Sequence, residues 1–143
     1  NAPLRLIICY GPQEHACITD KITFYTKLHQ HINQAAEDMV AFMIVGDLIA
    51  KLGNNYITTD NHKMSDNGAC LDNIITEYGV TVVNALPNTV GRWTWKRGKS
   101  QSIIDYCIVP NCIKAAITSM HIDETNSYRL SHTKKDFQGN NDI

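Results

Sequence analysis

Two short apolar runs, each closing on glycine, constrain this chain more than anything else in it. Leu4–Tyr10 is rich in leucine and isoleucine and stops at Gly11-Pro12, and residues 40–45 are apolar throughout and stop at Gly46-Asp47. Runs this short, bounded by turn residues, read as strands rather than helices. Neither shows a clean apolar–polar alternation, so each is expected to be covered on both faces, as strands of an α/β sheet are. Between them, Tyr25, Leu28, Ile32 and Ala36 recur at spacings of three and four, which makes one face of a helix starting at Lys21, with Asp20 placed to cap it.

The rest of the chain extends this pattern. Residues 48–67 are polar and read as a loop. Leu71, Ile74, Ile75 and Tyr78 repeat the helical spacing, and Gly79 is placed to end that second helix. Residues 80–85 read as a strand. Residues 92–96 and 102–109 read as two more, joined by a turn at Arg97-Gly98-Lys99-Ser100, and residues 115–122 as a last one. Strand, helix, strand, helix and then several strands imply an α/β (α+β) fold with one mixed sheet and helices on one face. Because the first two strands want cover on both sides, something further is expected to cover the other face.

Size and charge narrow the classes. The 143 residues suit one domain, with residues 1–133 forming it and 134–143, polar and without periodicity, expected to be a disordered tail. Hydrophobic residues make up 43% and charged residues 19%, an ordinary globular mixture. No apolar run approaches the roughly 18 residues of a membrane helix, so no membrane association is expected. The opening residues are too short for a secretory signal, and a chain that opens directly into a strand without methionine is expected to be cut from something longer. The net charge of −1 provides no global basic field, so any nucleic-acid contact must be a local patch. The five cysteines, Cys9, Cys17, Cys70, Cys107 and Cys112, include no CxxC pair and leave an odd count. That argues against zinc and against a disulfide framework, and for a reducing intracellular setting, nuclear or cytoplasmic.

Four places could carry chemistry. Tyr10 ends the first apolar run, Asp47 ends the second, Asp105 lies among Ile103, Ile104, Cys107 and Ile108, and His132 follows Ser131. Asp105 draws the most attention, since a carboxylate among apolar residues is costly unless partnered, and a histidine whose tautomer it fixes is a natural partner. Each also has a plain structural reading: a core tyrosine, a turn aspartate, a strand aspartate facing solvent, a surface histidine. Arg92-Trp93-Thr94-Trp95-Lys96-Arg97-Gly98-Lys99 carries four cations. Arg97 and Lys99 are placed to meet phosphates if it is a DNA-contacting hairpin, whereas the tryptophans more naturally pack in the core.

Taken in order, the segments Ile7-Ile8-Cys9-Tyr10-Gly11-Pro12, Ile44-Val45-Gly46-Asp47-Leu48-Ile49, Asn67-Gly68 through Asn84, Arg92-Trp93-Thr94-Trp95, Ser102-Ile103-Ile104-Asp105-Tyr106 and Tyr128-Arg129-Leu130-Ser131-His132 resemble the endonuclease/exonuclease/phosphatase superfamily. The similarity is greatest to the endonuclease domains of non-LTR retrotransposons, which accompany a reverse transcriptase. The resemblance implies half of a four-layer α/β/β/α sandwich, the C-terminal half. It also implies Mg²⁺-dependent hydrolysis of a DNA phosphodiester, the hydrolase step that nicks a target. By motif, Tyr10 resembles the phosphate-contacting tyrosine, Asp47 the strand-end aspartate that helps hold the metal, Asp105 the acid that orients a histidine, and His132 that histidine.

Three departures from the family pattern bear on activity. Where the family has Asp-x-Asn, this chain has Asp47-Leu48-Ile49, and losing one such polar contact commonly costs about 10²–10³ in rate. Where the family reads Ser-Asp-His, this chain reads Ser131-His132. The half that would carry a metal-holding glutamate is not in this sequence. The expected function is therefore a fragment or degenerate form of a Mg-dependent endonuclease, inactive alone. Its partners would be DNA and, through the uncovered sheet face, either a second copy or a separate N-terminal half. The rival readings are a non-catalytic interaction domain reusing the fold and a phosphatase of the same superfamily.

Overall fold

A computed structural model of the chain describes residues 3–57 and 62–125. The first strand, β1 (Leu4–Tyr10), leads into helix α1 (Ile18–Glu37), which returns the chain to β2 (Ala41–Asp47), and β1 and β2 pair in parallel. Helix α2 (Asp66–Tyr78) follows, then the short strands β3 (Val80–Val82), β4 (Thr89–Val90), β5 (Trp95–Arg97) and β6 (Ser100–Ser102). The chain continues through β7 (Asp105–Pro110) to β8 (Met120–His121). The main sheet has the order β1-β2-β7-β3, with β7 running antiparallel to both of its neighbours. It is a mixed sheet within a mixed α/β fold, in line with the class read from the sequence.

Local chemistry explains most boundaries. Helix α2 starts where the Ser65 hydroxyl accepts the Gly68 N–H at 3.1 Å, a side-chain N-cap, and stops where Gly79 turns left-handed at φ 57°. Helix α1 starts earlier than the sequence implied. Cys17 holds the N-cap position without a side-chain bond, and Asp20 lies in the first turn, where its charge favours the helix dipole instead of capping it.

The expected strand over residues 80–85 ends at Val82, because Val83–Ala85 tightens into a 3-10 turn. The strands expected over 92–96 and 102–109 become the hairpin β5–β6 around Gly98, with β7 as a separate element. Ile103 is buried and Ile104 lends its carbonyl to Leu48, so the two residues divide β6 from β7. Of residues 115–122 only Met120–His121 is strand, after a 3-10 segment at Asn111–Ala116.

The core lies between the sheet and the two helices. Ile7, Phe42, Ile44, Tyr106 and Ile108 pack against Tyr25, Leu28, Ile32, Leu71 and Ile74 in one cluster. Leu48, Ala50 and Leu52, from the loop after β2, close one end of it. Tyr106 fastens that loop, donating its hydroxyl towards the carbonyls of Ala50 and Ile103 at 2.9 and 3.0 Å.

The opposite face of the sheet is covered unevenly. At the far end of β7, Val109 is fully buried, as are Val83 and nearly Ile122. On β1, by contrast, Leu4, Leu6, Ile8 and Tyr10 are 51%, 54%, 77% and 70% exposed. The cover expected on both faces of the first two strands is therefore not found on β1: among the described residues its side away from the helices is apolar and lies open. Among the described residues no helix is long and apolar enough to cross a membrane. All five cysteines are free.

Candidate functional site

Strand register places three of the candidate residues side by side. Tyr10 is the partner of Asp47 in the β1–β2 pairing, and Asp47 is the partner of Asp105 in the β2–β7 pairing. Partners in register project to the same face of a sheet. The three therefore form one row across neighbouring strands, on the face away from the helices and at the carboxyl ends of β1 and β2. The row spans two strand spacings, roughly 10 Å. Open α/β sheets gather their ligands at such strand ends.

Each member is held by short-range bonds. Asp47 Oδ1 accepts the Ile49 N–H at 3.0 Å, an Asx turn that fixes the chain leaving β2. That turn drives Ile49 to φ 47°, a left-handed conformation that β-branched residues rarely adopt. The carbonyl of Asp47 accepts from Gly11, and the Leu48 N–H donates to Ile104, so the ends of β1, β2 and β7 are tied together. Gly46 is required where β2 passes β1, since a Cβ there would lie 2.0 Å from the Cys9 carbonyl oxygen. Tyr10 is exposed, with Gln13 Nε2 donating to its hydroxyl at 3.5 Å.

Asp105 is not in the middle of its strand, as the sequence suggested, but at its first residue. The hydroxyl oxygen of Thr94 accepts both the Ile104 and Asp105 N–H groups, at 3.0 and 3.1 Å. Burial pushes the Asp105 carboxyl above the ordinary carboxylate value. A hydrogen bond from Thr94 opposes that rise, and the charge of Asp47 adds to it. Two acids facing one another, one of them partly desolvated, form an arrangement that a cation would relieve. Among the described residues, however, no cluster of three or more His, Cys, Asp or Glu side chains could hold a metal ion. A metal on this pair would be held by two carboxylates with water or phosphate oxygens around it, an all-oxygen ligand set that suits Mg²⁺.

The fourth candidate, His132, lies outside the described residues, as do Ser131 and the expected tail at 134–143. Arg97 and Lys99 are both exposed on the hairpin, and Lys99 lines a cavity of about 660 Å³ with Lys51, Arg92, Trp93 and Trp95. The tryptophans divide, with Trp93 packing against the core while Trp95 is 40% exposed.

Two asparagines that the sequence reading left without a role hold the site in place. Asn84 donates to the Asp105 carbonyl at 3.1 Å and accepts the Cys107 N–H at 2.9 Å, so its side chain stands in for a strand where β3 ends. Its signal in the sequence is a polar residue beside the apolar run at 80–83, the same signal that marked Asp105. Asn67, fully buried, donates to the carbonyls of Pro12 and Ile49 at 2.7 and 3.1 Å and bridges the loops that follow β1 and β2. Nothing in its local sequence distinguishes it from an ordinary first-turn asparagine.

No protein-family model matches the chain, and no curated protein matches it.

Proposed function

We propose that the chain carries one side of a Mg²⁺-dependent phosphodiester-cleaving site of the endonuclease/exonuclease/phosphatase kind, in a degenerate form that does not cut DNA alone. The observation that supports this most is the single row Tyr10–Asp47–Asp105 at the strand ends, three residues from separate motifs that stand in register. In this reading Tyr10 contacts the phosphate, Asp47 holds the cation, and Asp105 orients His132, whose role rests on the resemblance alone. Mg²⁺, when bound, would neutralise charge on the phosphoryl oxygens. The chain's own part is to fix the two carboxylates through Thr94, Asn84 and the Asx turn. Ile49 favours the degenerate form: it has no side-chain donor or acceptor where the family pattern has an asparagine, and removing such a contact costs about 10²–10³ in rate.

Supercoiled-plasmid nicking with Mg²⁺, run beside an EDTA control and a thermal-melt titration of Mg²⁺, tests this. The expected result is no nicking, with a rise in Tm on adding Mg²⁺ that Asp47→Asn abolishes. Nicking that EDTA and His132→Ala both stop would remove the claim of inactivity and keep the site. If Mg²⁺ shifts neither chain, Asp47 holds no metal and the second reading, a non-catalytic interaction domain, takes over; the open apolar face of β1 favours that reading specifically.

A further inference from the structure

We infer that the cavity beside the β5–β6 hairpin is a subsite for an unpaired nucleotide, with its base stacked on Trp95 and its phosphates held by Lys51, Arg92 and Lys99. This deepens the phosphodiester reading and rests on it only in taking the ligand to be nucleic acid. At about 660 Å³ the cavity falls within the roughly 300–1,000 Å³ of small-ligand sites. Among the described residues three cations line it, and no acidic side chain does. Among the described residues none of the three takes part in an ion pair. The nearby acid, Glu124, is engaged elsewhere: it accepts the Arg92 and Trp93 N–H groups at 2.6 and 2.8 Å and pairs with Lys96 at 3.0 Å. In a chain of net charge −1, three cations around one concavity, none ion-paired among the described residues, form the local patch that an anion requires.

The aromatic side of the cavity narrows the ligand. Trp93 is already occupied, with the Arg92 guanidinium 5.3 Å from its ring centroid and the His62 ring meeting it edge-on at 6.3 Å. Trp95 has no aromatic or cationic ring partner among the described residues and exposes 40% of its surface into solvent. An indole face beside uncompensated cations is the pairing that binds single-stranded nucleic acid, where bases stack and cations follow the backbone. Duplex bases are already stacked on one another and leave no free face for the indole. The hairpin is anchored to the acid row through Thr94, whose oxygen accepts the Asp105 N–H, so a strand held here would lead towards Asp47 and Asp105.

Fluorescence anisotropy with a labelled oligothymidylate, and with a duplex of the same length, tests the subsite on the whole chain. The single strand is expected to bind more tightly than the duplex, and Trp95→Ala to weaken it about tenfold. Lys99→Gln, an exposed change that leaves the fold untouched, is expected to reduce the slope of log K against log salt by about 0.7. The two tryptophans of the chain both line the cavity, so quenching of intrinsic fluorescence on binding reports its occupancy directly. Equal affinity for single strand and duplex overturns the proposal, and so does binding that Trp95→Ala leaves unchanged, because the cavity would then be an anion sink with no base subsite. Either outcome leaves the Mg²⁺ melt at Asp47 untouched, so failure here is distinguishable from failure of the phosphodiester reading.

Discussion

At the scale of single residues, the end of β2 shows how one side chain dictates the strain of another. Asp47 bonds the N–H two residues on, and the turn that results puts Ile49 at φ 47°. A left-handed conformation costs an ordinary L-residue roughly 1–2 kcal/mol, and asparagine tolerates it far better than a β-branched residue. Ile49→Asn is therefore expected to gain about 1 kcal/mol of backbone relief, less the half-buried surface it gives up. Ile49→Ala loses the surface and keeps most of the strain, so it is expected to destabilise. Urea melts of the two variants should move in opposite directions; movement in the same direction would mean that Ile49 is not strained.

Asp105 supplies the pH test at the same scale. Burial holds its folded-state pKa above the unfolded value, so between those two values the folded chain binds more protons than the unfolded one, and stability falls as pH rises through that window. Above the window the cost of a charged, partly buried carboxylate is present in full. Asp105→Asn removes that charge while keeping the shape. It is expected to raise Tm at neutral pH and to lose this advantage at pH below the unfolded value, about 3.9. An equal gain at both pH values would place the cause outside the titration of Asp105.

At the scale of elements, what the sequence disclosed and what it hid follow different physics. Helix α2 was legible at its C-terminal end because Gly79 at its close is a local signal that needs no tertiary partner. Strands β1 and β2 were legible as short apolar runs that stop at glycine, but the run in β1 did not mean burial, since its outer side chains are more than half exposed. The hairpin was legible at its Gly98 turn, but its strand bounds were not, because its breaks are tertiary: Ile103 turns inwards to the core, and the Thr94 hydroxyl binds the start of β7. Asn84 ends β3 early for a related reason, since its amide takes over the bonding of β7 that a further strand residue would have made. Of the candidate site, Tyr10, Asp47 and Asp105 were named from residue type and motif. Their alignment in one row depended on the pairing of β2 with β7, elements far apart in sequence, and no local pattern encodes that pairing. The cavity cations were half legible. Lys99 lies in the basic stretch, while Lys51 comes from the loop after β2 and only folding brings it alongside.

At the scale of the whole molecule, the open side of β1 is the least finished surface. Leu4, Leu6, Ile8 and Tyr10 form an exposed apolar strip on an edge strand whose outer backbone groups pair with no other described strand. Exposed edges with apolar faces are where chains associate. Covering the strip releases water from apolar surface worth roughly 25 cal/mol per Å², while leaving it open gains nothing for the isolated fold. The chain is therefore expected to self-associate at micromolar concentration, through β1 of two copies, in sedimentation velocity. Leu6→Lys with Ile8→Glu places charges on that strip. Because both positions are more than half exposed, the double variant is expected to cost the monomer no more than about 0.5 kcal/mol per site while abolishing association. Wild-type chain that sediments as a stable, cooperatively melting monomer would show that β1 tolerates its exposure, and the need for a second layer over this sheet would fall with it.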